Sequence, residues 1–322
     1  MQLVSLAAFL APRMSLWYVL LFGLVDCFGF TTPFGRSRGT APLLKCSSAA
    51  IAEVCTQAAR EAGRVILEGS RKVNLLGQVT SKQGSRDILT EYDVRSQRVI
   101  KDVIASVFPS HAFLGEEDVE PGRDSSIMAL EKVSREDHLW IVDPIDGTTN
   151  FAQGQPLAGV IIAYAQKGVV QFGCIYDPFM DEMFTAWRGG GAYLNGSPIS
   201  CCATNELKDS VICTGSPPNI DSLNACLRAT NLISSEVRTM RMLGSAAIML
   251  AWVACGRLTA YFEADMNCWD TQAGALIVQE AGGRVSNVFG DEFILTSRNL
   301  VASNGKIHDV LTSRLKVSKM WI

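Results

Sequence analysis

The sequence predicts a layered α/β (α+β) domain with helices packed on sheet, and three observations predict it. Apolar stripes at helical spacing alternate along the chain with strand-like apolar runs, some of them paired as hairpins. No Pro/Ser-rich linker interrupts residues 49–322, so two lobes, roughly 49–195 and 196–322, are expected to be continuous with each other. Of the 322 residues, 48% are hydrophobic, enough for a sizeable core.

Each element has its own signal. Ile51, Val54, Cys55, Ala58, Ala62, Val65 and Ile66 share one stripe, so 49–70 is expected to be an amphipathic helix. Ile100, Val103, Ile104 and Val107 mark a second helix that starts near Asp93 and stops before Pro109. Strands are expected at 112–114, 139–142, 159–166, 169–176 and 183–187, with Lys167-Gly168 as a hairpin turn. Gly189-Gly190-Gly191 leads into a further hairpin; it is no dinucleotide fingerprint, because no GxGxxG runs from a strand into a helix. Helices then follow near 221–232, 244–255 and 270–281, with strands at 210–214, 258–262 and 300–302.

Composition removes several function classes. With 29 basic and 32 acidic side chains, the net charge of −3 argues against a nucleic-acid binder that grips phosphates by charge alone. Charged residues at 19% and aromatics at 8% do not describe a disordered chain. Ten cysteines include no CxxC pair, and His111, His138 and His308 are the only histidines, which is poor material for a zinc site. Most of the cysteines read as small buried hydrophobes.

The N-terminus differs from the rest, and residues 1–48 read as a cleavable targeting leader. Leu16–Val25 is too short to span a bilayer but has the length of a signal h-region, with Arg13 ahead of it. From Cys27 to Ala52 there is no acid, while Arg36, Arg38 and Lys45 lie among hydroxyl residues, as in organelle transit peptides. A signal followed by a transit-like segment, with Phe28 at the junction, resembles the bipartite targeting of proteins bound for complex algal plastids. The secretory pathway or another organelle is the alternative. Without this leader the chain keeps 25 basic and 31 acidic residues, a net charge of −6, and no stable membrane association is expected of it.

The segment richest in chemistry is Trp140-Ile141-Val142-Asp143-Pro144-Ile145-Asp146-Gly147-Thr148-Thr149-Asn150-Phe151. An apolar strand ends in Asp143, and Asp146 follows three residues later. Pro144 fixes one φ and Gly147 permits a tight turn, so both carboxylates can swing toward one point. Oxygen donors this close suit a hard cation such as Mg²⁺, with the Ile145 carbonyl as a further donor. Gly147-Thr148-Thr149 then opens a helix whose amides attract phosphate. Asp–Pro and Asp–Gly are also ordinary turn dipeptides, so a capped loop is the competing reading. Glu116, in Leu114-Gly115-Glu116-Glu117-Asp118, follows a strand, and Asp270, in Cys268-Trp269-Asp270, reads as a helix N-cap.

Together these motifs resemble the inositol monophosphatase family: GEE at 115–117, WIVDPIDGTTNF at 140–151 and WD at 269–270 ahead of IVQEAGG, in order, over residues 49–316. The resemblance implies an α-β-α-β-α sandwich like that of sugar phosphatases, a homodimer and lithium sensitivity. It implies two or three Mg²⁺ ions per site, a first held by Glu116, Asp143 and the Ile145 carbonyl and a second by Asp143, Asp146 and Asp270. Asp93, with Lys82 eleven residues before it, matches a further element; Asp93 and Thr148 would orient the attacking water. Gly147 and Thr148 would hold phosphate, and Gly244, Ser245, Ala246 and Glu263 would contact the sugar alcohol. The implied reaction is Mg²⁺-dependent hydrolysis of a small phosphorylated polyol or sugar, foremost myo-inositol monophosphate. Histidinol phosphate and other sugar or nucleotide phosphates are alternative substrates, and a non-catalytic metal- or phosphate-binding protein is the alternative of a different class. Three positions depart from the family pattern: Gln272 stands for an alanine, Ile161 for a serine, and Pro156-Leu157-Ala158-Gly159 is looser than usual.

Overall fold

Apolar periodicity becomes five layers in the computed structural model, which describes residues 47–70, 80–82 and 86–319, all within one compact unit. The leader expected over residues 1–48 lies, up to residue 46, outside the described residues. The first elements are α1 (Ser48–Ser70), a two-stranded ladder of β1 (Thr80–Ser81) and β2 (Ile88–Leu89), and α2 (Glu91–Val107). A seven-stranded sheet follows: β3 (Ala112–Gly115), β4 (Leu139–Asp146), β5 (Gly159–Gln166), β6 (Val169–Asp177), β7 (Glu182–Trp187), β8 (Gly191–Leu194) and β9 (Ser197–Pro198). Two helices interrupt it, α3 (Arg123–Val133) after β3 and α4 (Thr148–Ala152) after β4. Its strands run in sequence order, β3 and β4 parallel and the remaining pairs antiparallel.

The rest of the chain builds a second sheet from β10 (Val211–Thr214), β11 (Thr239–Arg241), β12 (Ala260–Glu263), β13 (Arg284–Ser286) and β14 (Leu300–Ser303). Its order is β11-β10-β12-β14-β13, with β10 parallel to both neighbours. The helices α5 (Ile220–Ile233), α6 (Ala246–Ala254), α7 (Cys268–Glu280) and α8 (His308–Val317) complete the chain. Helices α1 and α2 cover one face of the large sheet through Ile51, Ile66, Tyr92 and Ile100. Helices α6 and α7 fill the space between the sheets, and α5 and α8 cover the outer face of the small one through Cys226, Ile233, Leu311 and Leu315. The order is α-β-α-β-α, as the resemblance implies.

Central burial explains why α6 and α7 carry apolar residues on nearly every side. Their close approach depends on small residues: a Cβ on Gly173 of β6 would lie 2.6 Å from the Ala273 carbonyl of α7. The expected hairpin at Lys167-Gly168 is present, with φ of 50° and 77°, the left-handed pair that a two-residue hairpin turn requires. The strand expected at 139–142 runs on to Asp146, with a shift of register between Asp143 and Asp146 where Pro144 brings no N–H to the ladder. Asp270 is not the N-cap of its helix: Asn267 is, and Asp270 lies three residues further on, its carboxylate accepting from the Asn267 N–H. Among the described residues no helix is long and apolar enough to cross a membrane.

One buried histidine gives this fold a pH signature. His308 begins α8 with its ring between the hydroxyls of Ser286 (2.8 Å) and Ser303 (2.9 Å). Burial, then the charge of Arg284, lowers its pKa to about 4. The folded state therefore favours neutral imidazole, and the stability this contributes is present above about pH 6.5 and lost as pH falls toward 4. Chemical denaturation of wild type and His308→Gln should show a deficit of about 1–2 kcal/mol in the variant at pH 7.5. That gap should close between pH 6.5 and 4; a gap constant over this range contradicts the assignment.

Candidate active site

The parallel register of β3 and β4 creates the site. Gly115 pairs with Val142, so the next residues, Glu116 and Asp143, leave neighbouring strands at the same edge. At that edge the irregular Asp143–Asp146 stretch lets β4 bring two carboxylates to one side, and Asp143 accepts from the Ile145 N–H at 3.0 Å. Gly147 takes φ of 89°, and a Cβ there would lie 2.8 Å from the Leu157 carbonyl, so the turn into α4 requires glycine.

From the other sheet, Glu263 ends β12 and Asp270 sits in the first turn of α7. Ser245, the N-cap of α6, donates to Asp146, as do the Ala246 (3.2 Å) and Ala247 (2.8 Å) amides. The sequence-predicted residues Glu116, Asp143, Ile145, Asp146, Gly147, Thr148, Gly244, Ser245, Ala246, Glu263 and Asp270 all line one cavity of about 510 Å³. Asp93 does not reach the cavity wall. It lies behind it, 1% exposed, with its Oδ1 3.1 Å from the Thr148 hydroxyl, which is also 3.0 Å from the Ile145 carbonyl.

Concentrated negative charge dominates the electrostatics. Burial and the charges of Glu116, Asp146 and Asp270 push the Asp143 carboxyl well above the usual carboxylate range. Asp270 is raised by burial and by Glu116. Burial raises Asp146 to about 6 against the hydrogen bonds it accepts, and Asp93 to about 6 against its bonds from Thr90. Glu263, buried and bonded by the Tyr261 hydroxyl, is pushed up by burial to about 8. No lysine or arginine pairs with Asp143, Asp146 or Asp270 among the described residues.

Cationic compensation comes from Lys82, whose ammonium donates to Glu116 and Glu117, both at 2.9 Å. Burial alone would lower its pKa, but those two charges carry it above its ordinary value. Among the described residues no three acidic, histidine or cysteine side chains are closed around one point as a finished ligand shell. Lys82 draws Glu116 aside, while Ser245 and the α6 amides hold Asp146. The donors are nonetheless all oxygens, buried and lacking positive partners at Asp143, Asp146 and Asp270, which fits a hard divalent cation.

Sequence reasoning missed the supports behind these residues. Burial, then Glu116, raises Glu117 to about 7, and its N–H donates to Gln97 Oε1 at 2.9 Å. The Ser96 hydroxyl donates to the Pro144 carbonyl at 3.1 Å, and Asn150 binds the Leu157 (2.8 Å) and Leu243 (2.7 Å) carbonyls. Only the doubled acid at 116–117 could have pointed to this layer. Two of the unusual positions are accommodated: Ile161 is buried in β5 opposite Asp143, and Gln272 donates to the Ile294 carbonyl at 3.1 Å.

A layered α/β fold whose sheet edges bring four carboxylates to a cavity beside a glycine turn defines a metal-dependent phosphoester hydrolase class. The chain belongs to the inositol monophosphatase family, whose model matches residues 48–319. Inositol monophosphatase 3 of Solanum lycopersicum is 36% identical over 82% of this chain and 95% of the relative. Among solved structures, the extragenic suppressor protein suhB of Bartonella henselae aligns with a TM-score of 0.74 at 36% identity, over 83% of this chain and 98% of that one. The Thermotoga maritima IMPase aligns with a TM-score of 0.73 at 32% identity, over 84% and 98% of the two chains. Members of this family are phosphoric monoester hydrolases and depend on metal ions.

The raised carboxyls have a stability consequence. Their pKa values lie above the unfolded ones, so the metal-free fold is least burdened near pH 4 and loses stability as pH rises through about 6, where Asp93 and Asp146 ionise. At pH 8, Asp143→Asn should raise the melting temperature of the metal-free protein by roughly 2–4 °C, about 1 kcal/mol for a chain of this size. Millimolar Mg²⁺ should raise it for wild type and not for the variant. Calorimetry in EDTA and in Mg²⁺ checks both, and equal stabilisation of the two proteins by the cation contradicts the grouping.

Proposed function

We propose that this chain hydrolyses small phosphomonoesters, foremost myo-inositol monophosphate, with Mg²⁺ ions held by Glu116, Asp143, the Ile145 carbonyl, Asp146 and Asp270. The observation that carries this reading is the convergence of carboxylates from four separate segments on the cavity that Gly147 and Thr148 also line. When bound, the ions supply charge neutralisation and lower the pKa of a water.

The chain's own residues supply positioning. Asp93, held by Thr90 and bonded to Thr148, orients the attacking water through the Thr148 hydroxyl. A carboxyl near 6 is suited to holding a proton in transit at neutral pH. The Gly147 and Thr148 amides hold the phosphate, and fixed donors of this kind cost no reorganisation during the reaction. Glu263, protonated over much of the neutral range, can donate to or accept from a substrate hydroxyl. Gly244, Ser245 and Ala246 wall the sugar-alcohol space, while Ser245 and Ala246 also fix Asp146.

Two further readings belong here. The family resemblance supports a homodimer inhibited by lithium, which sedimentation and a lithium titration of activity test. The composition of residues 1–48 supports plastid delivery, and a fluorescent fusion of that segment that stays cytosolic rejects it.

Phosphate release across a panel of inositol, histidinol, sugar and nucleotide monophosphates, with and without Mg²⁺, tests the function. Inositol monophosphate should be hydrolysed fastest and only with the cation. Histidinol phosphate as the clear preference moves the assignment there, and no release from any substrate rejects an enzyme. Asp143→Asn should lower kcat/KM by about 10³-fold, and Thr148→Ala by about 10²-fold, with folding intact. An active Asp143→Asn enzyme contradicts the cation assignment.

A further inference from the structure

Glu263 and Asp270 are joined by the short segment 264–269, and one arginine outside the assigned site governs its path. Arg298, with its side chain 17% exposed, uses all three guanidinium nitrogens there. Its Nε donates to Asp265 Oδ1 at 2.9 Å and its Nη2 to the Asp265 carbonyl at 3.4 Å. Its Nη1 donates to Asn267 Oδ1 at 3.1 Å and to the Ser126 hydroxyl of α3 at 3.0 Å. The Arg298 carbonyl accepts from the Met266 N–H at 2.7 Å, so backbone and side chain grip the same segment.

That grip is applied at a bend. Asp265 has φ of 62°, the left-handed conformation, which aspartate adopts more readily than most non-glycine residues and which turns the segment toward α7. Several groups fix this bend: besides Arg298, Arg123 lies 3.3 Å from Asp265 Oδ1, the Ser222 hydroxyl donates to Oδ2 at 3.1 Å, and the Asp265 N–H donates to Asn299 at 3.2 Å. The segment delivers its last contact to the site itself, because the Asn267 N–H donates to Asp270 Oδ2 at 2.7 Å. The chain of contacts therefore runs from Arg298 through Asn267 to Asp270, with Asp265 as the bent anchor between Glu263 and the start of α7.

The geometry points to Arg298 as a positioning residue for the cation site: its planar fork fixes Asp265 and Asn267 and so sets the direction of the Asp270 carboxylate. This rests on the reading of Asp270 as a cation ligand. Groups that orient a ligand rather than touch the ion change metal affinity by about 10–100-fold when removed. A lysine cannot substitute, since it keeps the charge but lacks donors in the arrangement that reaches Asp265, Asn267 and Ser126 together.

The test uses the full chain with Mn²⁺ as probe, free Mn²⁺ being read by electron paramagnetic resonance, alongside the Mg²⁺ dependence of phosphate release. Arg298→Gln and Arg298→Lys should both weaken Mn²⁺ binding about 10–100-fold and raise the Mg²⁺ concentration for half-maximal rate in parallel. At saturating Mg²⁺ their kcat should return to within about threefold of wild type, which a merely misfolded protein would not do. Ser126→Ala, which removes the strut to α3 together with a local bond to the Arg123 carbonyl, should give a smaller loss of the same kind and serves if the arginine variants do not fold. Wild-type Mn²⁺ affinity in the arginine variants, or full rescue by lysine, overturns the proposal. Failure of the wild-type protein itself to bind Mn²⁺ would instead reject the cation reading of Asp270.

Discussion

Uncompensated negative charge in a buried place is the constraint on which this structure turns. Asp143, Asp146 and Asp270 are drawn to one cavity with Glu116 beside them, and burial first, then the neighbouring negative charges, raises their pKa values. Burying carboxylates without cationic partners costs several kcal/mol each, so the surroundings must force the arrangement. The forces are visible: a parallel strand pair that aligns Glu116 with Asp143, an irregular β4 edge at Pro144, the first turn of α6 closing on Asp146, and the first turn of α7 carrying Asp270. On the proposed reading, a mildly acidic chain accepts an anionic phosphate because the acids gather cations and the cations gather the anion.

The fold reads as a frame for that edge. Helices α6 and α7 are buried between the sheets, which keeps their N-termini in fixed positions relative to β4. Supports such as Ser96 on the Pro144 carbonyl of the irregular β4 end and Asn150 on the Leu157 and Leu243 carbonyls hold what the sheet ladders do not. Lys82 is the exception to the prevailing repulsion, neutralising Glu116 and Glu117 from the outer rim.

Much of this was legible in the sequence, and the gaps have physical reasons. The large sheet's strands carry long apolar runs, and β5 falls at 159–166 as its pattern predicts. Helix α3 left no trace because only Ser126 and Leu130 of its residues are buried, and α8 because its face is interrupted by His308 and Thr312. The short strands β11 and β13 have three residues each, too few for a period. The candidate residues that share the cavity are densest in the motif at 143–148, and Asp270 was read as an N-cap where Asn267 holds that place, since a cap three residues upstream serves equally well to start the helix. Contacts made across the chain, such as Gln97 on Glu117 or Arg298 on Asp265 and Asn267, have no spacing to betray them.

Counting protons tests the central claim most directly. Mg²⁺ titrated calorimetrically into metal-free protein at pH 6.5, in buffers of different ionisation enthalpy, reports protons released per cation bound. Carboxyls pushed up by burial and by one another should release protons at pH 6.5 and fewer at pH 9, where they are already ionised. Cation binding with no proton release at either pH, or no binding at all, would contradict the account.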